Sequence, residues 1–210
     1  MEKMVEICCG GYEDALAAYR GGAKRIELNS ALYLGGLTPS LGTLKLAKQD
    51  TDLKIIAMVR PRGAGFCYSE ADFAVMKEDA KLLLENDADG IAFGCLDRNG
   101  ELEESQTKEM AAIIKEHHGE AVFHRAFDCV KDPMGTMEKL IGLGIGRVLT
   151  SGGKEKAMEG RELLKKLQET YGERIEILAG SGVNAGNAKE LMETTGICQV
   201  HSSCRGWVPD

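Results

Sequence analysis

Eight short β-rich runs alternate strictly with longer helical patterns along the 210 residues, and this alternation restricts the fold more than any other feature. The runs are MVEIC (4–8), RIELN (25–29), KIIAMVRP (54–61), GIAFGCL (90–96), AVFHRAFD (121–128), RVLTSG (147–152), EILAGSG (176–182) and QVHSSC (199–204). Helical patterns fill roughly 13–20, 40–48, 70–86, 104–117, 133–143, 158–171 and 186–193. Their starts carry local signals: Ser69 with Asp72 reads as a capping box, Asp132-Pro133 as an N-cap followed by proline in the first helical position, and Asn184 as a further N-cap. Strict β/α alternation predicts a parallel sheet with helices outside it, and eight strands predict one closed (β/α)8, TIM-barrel-like domain over residues 1–210. A doubly wound open sheet is the alternative, but no G-x-G-x-x-G follows the first strand. Only RGWVPD follows the eighth strand, too little for a full final helix. Barrel wall is then left bare unless Trp207 or a second chain covers it, which predicts a homo-oligomer.

Composition removes several classes of partner. The net charge is −7 with no Lys/Arg run, which argues against nucleic acid. No apolar run approaches the roughly 18–20 residues that span a bilayer, and the first residues, MEKMVEICCGG, lack the apolar core of a signal peptide, so the expectation is a cytoplasmic protein without membrane contact. The seven cysteines are odd in number and lack zinc-like spacing, which fits reduced thiols.

Strand alternation then separates the two faces of the barrel. The helix-facing side must be apolar, so Glu6, Glu27, Asn29, Arg60, His124, Asp128 and His201 are expected to point inward, with Arg62 joining them if the third strand stays extended. Arg125 fits this pattern badly, because it shares a face with Phe123 and Phe127. Such a set is either a paired, hydrogen-bonded network, since an unpaired buried charge is very costly, or a site at the C-terminal end of the barrel, where barrel enzymes place theirs. In the second case His124 is the expected general acid/base, with Glu27 or Asp128 orienting it or acting as a carboxylate base. Arg60 and Arg62 would clamp a small anionic ligand. The loops TSGGKEK (150–156), with Ser151, and GSGVN (180–184), with Gly180 and Gly182, together with His201, complete the expected ligand-binding set.

These residues resemble the CutC family, long described as copper homeostasis proteins. The matching stretches are VEICCGGYEDALAAYRGGAKRIEL (5–28), GGLTPSLG (35–42), MVRPRGAGFCYSEADFAVMKEDA (58–80), DGIAFGCLDRNG (89–100), FHRAFD (123–128), RVLTSGG (147–153) and GSGVN (180–184). The resemblance implies a TIM-barrel-like fold, a cytoplasmic oligomer and a link to copper, with Cu(I) binding or trafficking as the associated role. It also implies Cys8 as a metal ligand. The family usually reads RIELC in the second strand, where this chain has RIELN; an amide is a poor Cu(I) ligand where a thiolate is a good one, so Asn29 breaks the expected thiol pair. Two functions follow: copper homeostasis through Cys8, or a barrel enzyme or binder for a small anionic molecule using the His, Glu, Arg and Asp set.

Overall fold

The computed structural model describes residues 3–204 and shows a closed, all-parallel barrel in strand order β1-β2-β3-β4-β5-β6-β7-β8. The strands are β1 (Met4–Cys9), β2 (Arg25–Leu28), β3 (Lys54–Met58), β4 (Gly90–Phe93), β5 (Glu120–Phe123), β6 (Arg147–Thr150), β7 (Glu176–Ala179) and β8 (Gln199–Ser202). The helices are α1 (Tyr12–Arg20), α2 (Leu41–Asp50), α3 (Glu70–Glu85), α4 (Glu104–Glu116), α5 (Pro133–Gly142), α6 (Arg161–Tyr171) and α7 (Ala188–Thr195), with 3₁₀ turns at Leu32–Leu34 and Arg125–Cys129. All eight expected strands form, most of them shorter than their apolar runs, because the polar ends of those runs leave the sheet to build the loops at its C-terminal rim. Val5, on the outer face of β1, is 45% exposed in a groove of about 930 Å³ lined also by Ile7, Ala17, Ala18 and Cys9 and by the charged Lys3, Asp14 and Lys24. Trp207 lies outside the described residues. No helix among them is long and apolar enough to cross a membrane.

The main core lies between sheet and helices. Ile26, Leu28, Ile55, Ala57, Ile91, Phe93, Phe123, Val148, Ile177 and Val200 face outward from successive strands and pack against α-helical residues such as Leu44, Met76, Ile114, Leu140, Leu164 and Leu191. A small separate cluster, Ile56, Met58, Ala92 and Val122, fills part of the barrel interior. The alternation of the strands makes this division, since each strand sends every second residue to the helices.

Local signals act largely where the residues place them. Ser69 and Asp72 form the reciprocal capping box of α3, and Asp132 caps α5 through the Gly135 N–H at 3.0 Å, with Pro133 in the first turn. The last helix differs from expectation. Asn184 accepts the Ala188 N–H through its backbone carbonyl, while its own N–H is held by Asn187 Oδ1 at 2.8 Å, so the chain makes one more turn and Asn187 stands at the N-cap.

The AVFHRAFD run is the main departure. Only Glu120–Phe123 is strand; His124 ends it, its Nδ1 accepting the Ala126 N–H at 3.1 Å, and residues 125–129 turn as a 3₁₀ helix. That local side-chain bond replaces a ladder bond and breaks the period of two beyond residue 124. Arg125 is thereby freed from the face it would share with Phe123, and Asp128 is carried away from the inward position expected of it.

Candidate functional site

Parallel registry builds the site from the inside outward. Glu6 sits opposite Arg25 of β2 and His201 of β8, and Cys8 sits opposite Glu27. Glu6, Arg25 and Arg147 are almost completely buried, and they neutralise one another across the barrel floor. Arg25 Nε lies 2.6 Å from Glu6 Oε2, and the Arg25 Nη2 donates to Gln199 Oε1 at 2.5 Å. Arg147 bonds Glu176 Oε2 at 2.6 Å, pairs with Glu120, and reaches Glu6 Oε2 at 3.8 Å. Burial by itself would raise the Glu6 carboxyl, but the hydrogen bond and charge of His201, with Arg25 and Arg147, bring it down to about 2. Arg25 and Arg147 were not among the expected interior residues. Their signal was present, since each begins a strand in phase with an inward residue, Glu27 and Leu149 respectively.

One layer higher, His201 lies between two carboxylates. Its Nδ1 donates to Glu6 Oε1 at 2.9 Å, and its Nε2 lies 3.9 Å from Glu27 Oε2. Burial opposes charge on this ring, but Glu27, hydrogen bonding to Cys8 and Glu6, and the Glu6 charge outweigh it and raise its pKa well above the ordinary value. Glu27 moves the other way from Glu6. Burial raises its carboxyl, the charge of Glu6 adds to this, and His201, Asn29 and Cys8 only partly offset them. Asn29 donates through Nδ2 to Glu27 Oε2 at 2.9 Å and to Cys8 Sγ at 3.6 Å, so the side chain at position 29 does reach Cys8. Cys8 Sγ, a Glu27 carboxylate oxygen and a His201 ring nitrogen all lie within 4.8 Å of one another, close enough to hold one metal ion. Glu6 on Nδ1 fixes the ring so that Nε2 faces the other two donors, the carboxylate–histidine arrangement that orients metal-binding imidazoles. Cys9 faces the opposite way, into the core, where burial pushes its thiol up to about 12. Adjacent strand cysteines thus do not chelate together.

The rest of this wall belongs to Arg60 and His124. With Cys8, Glu27, Asn29 and His201 they line a cavity of about 120 Å³ at the C-terminal end of the barrel. Arg60 is 7% exposed and has no carboxylate partner among the described residues; its Nη1 donates to the Leu34 and Gly36 carbonyls at 2.9 and 3.1 Å, and its Nη2 to the Ala64 carbonyl at 2.7 Å. Phe66 lies under its guanidinium at 5.1 Å and packs 4.9 Å from the His124 ring. Burial, with the charges of Arg60 and Arg125, pushes His124 down to about 3. His124 is therefore a neutral imidazole at physiological pH and not the acid/base poised near neutrality that its type suggested. Glycine at 94 makes room for this ring, since a Cβ there would stand 2.7 Å from both Cε1 and Nδ1. Phe66 and Gly94 were missed in the sequence, the first inside a loop read for its arginines and the second inside a strand read for its apolar residues.

Other expected site residues lie elsewhere. Arg62 does not enter the barrel: β3 stops at Met58, and Arg62 instead bonds Asp72 Oδ2 at 3.0 Å and the Cys67 carbonyl at 2.9 Å, bracing the loop before α3. Asp128 does not face His124 from within the barrel. It accepts hydrogen bonds from Thr150 Oγ1 at 2.6 Å, Ser151 Oγ at 2.8 Å and the Ser151 and Gly153 N–H groups, and pairs with Arg125 Nε at 2.8 Å. Ser151 is fully committed to this junction. Gly180 packs against Leu149 and His201 and Gly182 against Lys156, and neither lines the cavity. Arg125, which the strand pattern could not place, does line it.

The sequence profile of the CutC family matches residues 3–206. This chain belongs to the CutC family. The family protein CutC of Treponema denticola is 49% identical over 197 residues, covering 94% of this chain and 79% of that one. The copper homeostasis protein cutC homolog of Homo sapiens is 41% identical over 202 residues, covering 96% of this chain and 73% of that one. A crystal structure named for the copper homeostasis protein CutC of Streptococcus agalactiae superposes with a TM-score of 0.90 at 30% identity, covering 96% of this chain and 98% of that chain. The CutC barrel is thus shared, with the Cys8, Glu27 and His201 donors standing at its mouth in this family member.

Proposed function

We propose that this chain serves copper homeostasis in the cytoplasm as a weak carrier of Cu(I), held by Cys8 and His201 with Glu27 beside them. The observation that carries the reading is the convergence of three donor atoms from β1, β2 and β8 within 4.8 Å. The names of its relatives supply the copper assignment. Thiolate and imidazole suit a soft monovalent ion, and the carboxylate adds charge more than affinity. Three features oppose tight binding: Asn29 in place of a second thiol, an imidazole that must give up a proton held by two carboxylates, and a thiol already engaged by Asn29.

A competition titration against a chromogenic Cu(I) chelator tests this. Cys8→Ser and His201→Gln should each weaken binding by about tenfold or more, and Asn29→Cys should strengthen it by a similar factor. Wild-type affinity retained in Cys8→Ser would move the ion to other thiols. Equal affinity in wild type and Asn29→Cys would remove the pairing of positions 8 and 29.

A further inference from the structure

The copper reading leaves two features of the same cavity unused. The first is a buried cation without an anion. Arg60 is 7% exposed, yet among the described residues no carboxylate lies within ion-pair distance, and its neighbours are three carbonyls, the Tyr68 hydroxyl and an aromatic face. A guanidinium has five N–H bonds; three go to Leu34, Gly36 and Ala64, and Nε is buried with no hydrogen-bond partner. What remains is the Nε–H and one Nη2–H. Adjacent N–H bonds of this kind match the two oxygens of a carboxylate.

The second feature is a buried donor with no acceptor. His124 accepts the Ala126 N–H on Nδ1, so the neutral ring carries its hydrogen on Nε2, and Nε2 is buried without a partner. The ring lines the cavity, and it is held by Phe66 on one side and by the space at Gly94 on the other. Leaving a buried N–H unsatisfied is costly, and leaving a buried charge unpaired is more so. The cavity wall thus carries a cation with no carboxylate counter-ion among the described residues and an N–H with no acceptor.

We propose that the cavity binds a small carboxylate, its oxygens held by Arg60 and the His124 Nε2–H and its remaining atoms facing Cys8, Glu27 and His201. A cavity of about 120 Å³ accommodates a small ligand such as acetate or pyruvate. The chemistry selects a carboxylate over a soft or cationic ligand at this end, because both groups are donors only. The proposal is independent of copper, since neither Arg60 nor His124 is among the metal donors.

The test is an NMR titration of the full chain, freed of metal with a chelator, using acetate and pyruvate as probes and inorganic phosphate as the contrast. Saturable shifts of the His124 ring and of residues 60–66 are expected with the carboxylates. Arg60→Lys, which keeps the charge but loses the planar pair of donors, and His124→Phe should each weaken binding by about tenfold. A thermal melt shows whether each variant is folded; should one fail to fold, the other decides. The proposal is overturned if neither carboxylate gives a saturable shift in folded wild-type protein, if folded variants bind as wild type does, or if phosphate binds more tightly than both carboxylates.

Discussion

Replacing Glu6 by Gln removes the charge at the centre of the barrel floor while keeping its shape. Glu6 is 2% exposed, with Arg25 at 2.6 Å, His201 at 2.9 Å and Arg147 at 3.8 Å. Its carboxyl titrates at about 2 in the fold against an ordinary 4.5. At 1.36 kcal/mol per pH unit, that difference is worth roughly 3 kcal/mol of stability at neutral pH. A lowered folded pKa means that this stability is fully present above the unfolded value and is lost as pH falls from about 4.5 through about 2. The amide also leaves Arg25 and His201 short of an anion, so the total loss at pH 7 should reach about 3–5 kcal/mol, the usual result of breaking a buried pair from one side. Urea unfolding followed by circular dichroism measures it. The gap between wild type and Glu6→Gln should be largest at pH 7 and smaller by roughly 1–1.5 kcal/mol at pH 3.5, where Glu6 in the unfolded wild-type chain is already largely protonated while the folded carboxyl remains ionised. Comparing the two proteins at each pH cancels the other carboxyls they share. A gap of the expected size that does not change with pH would show that Glu6 is held by shape and hydrogen bonds, and a gap near zero would show that Arg25 and Arg147 do not depend on it.

Two further outcomes follow from the structure. The His124 ring, pushed down to about 3, should show no titration between pH 5 and pH 8 in its proton NMR shifts, while His201 should titrate well above the ordinary imidazole range; a His124 midpoint near neutrality would restore its role as an acid/base. Light scattering should give a mass above that of the 22.7 kDa chain, because Val5 stands exposed in an open groove beside apolar residues of β1 and α1; a monomer mass at micromolar concentration would show that this wall tolerates water.

Much of this molecule follows from the order of its residues. Alternating β and α patterns are local, and each run carries its own period, so eight strands and seven helices could be placed before any contact was known. The same period of two put Glu6, Glu27, Asn29, Arg60 and His201 on the inner face, because in a barrel with helices outside only one face of a strand can be apolar. Position 29 also stood out, an amide where the resemblance to the CutC family implies a thiol. Tertiary structure decided what these groups do. Registry between β1 and β2 and between β1 and β8 gives Glu6 Arg25 and His201, and Arg147 reaches it across the barrel from β6, while Glu27 gains mainly burial, so two carboxylates of one residue type titrate in opposite directions. A single side-chain bond from His124 to Ala126 ends β5 early, carries Asp128 to the loop at residues 150–153 and brings Arg125 to the cavity. Arg62, two residues beyond Arg60, turns away because β3 has ended before it reaches the mouth. Periodicity holds only while a strand continues, and where a strand ends is settled by competition between ladder bonds and side-chain bonds, which depends on neighbours distant in the chain.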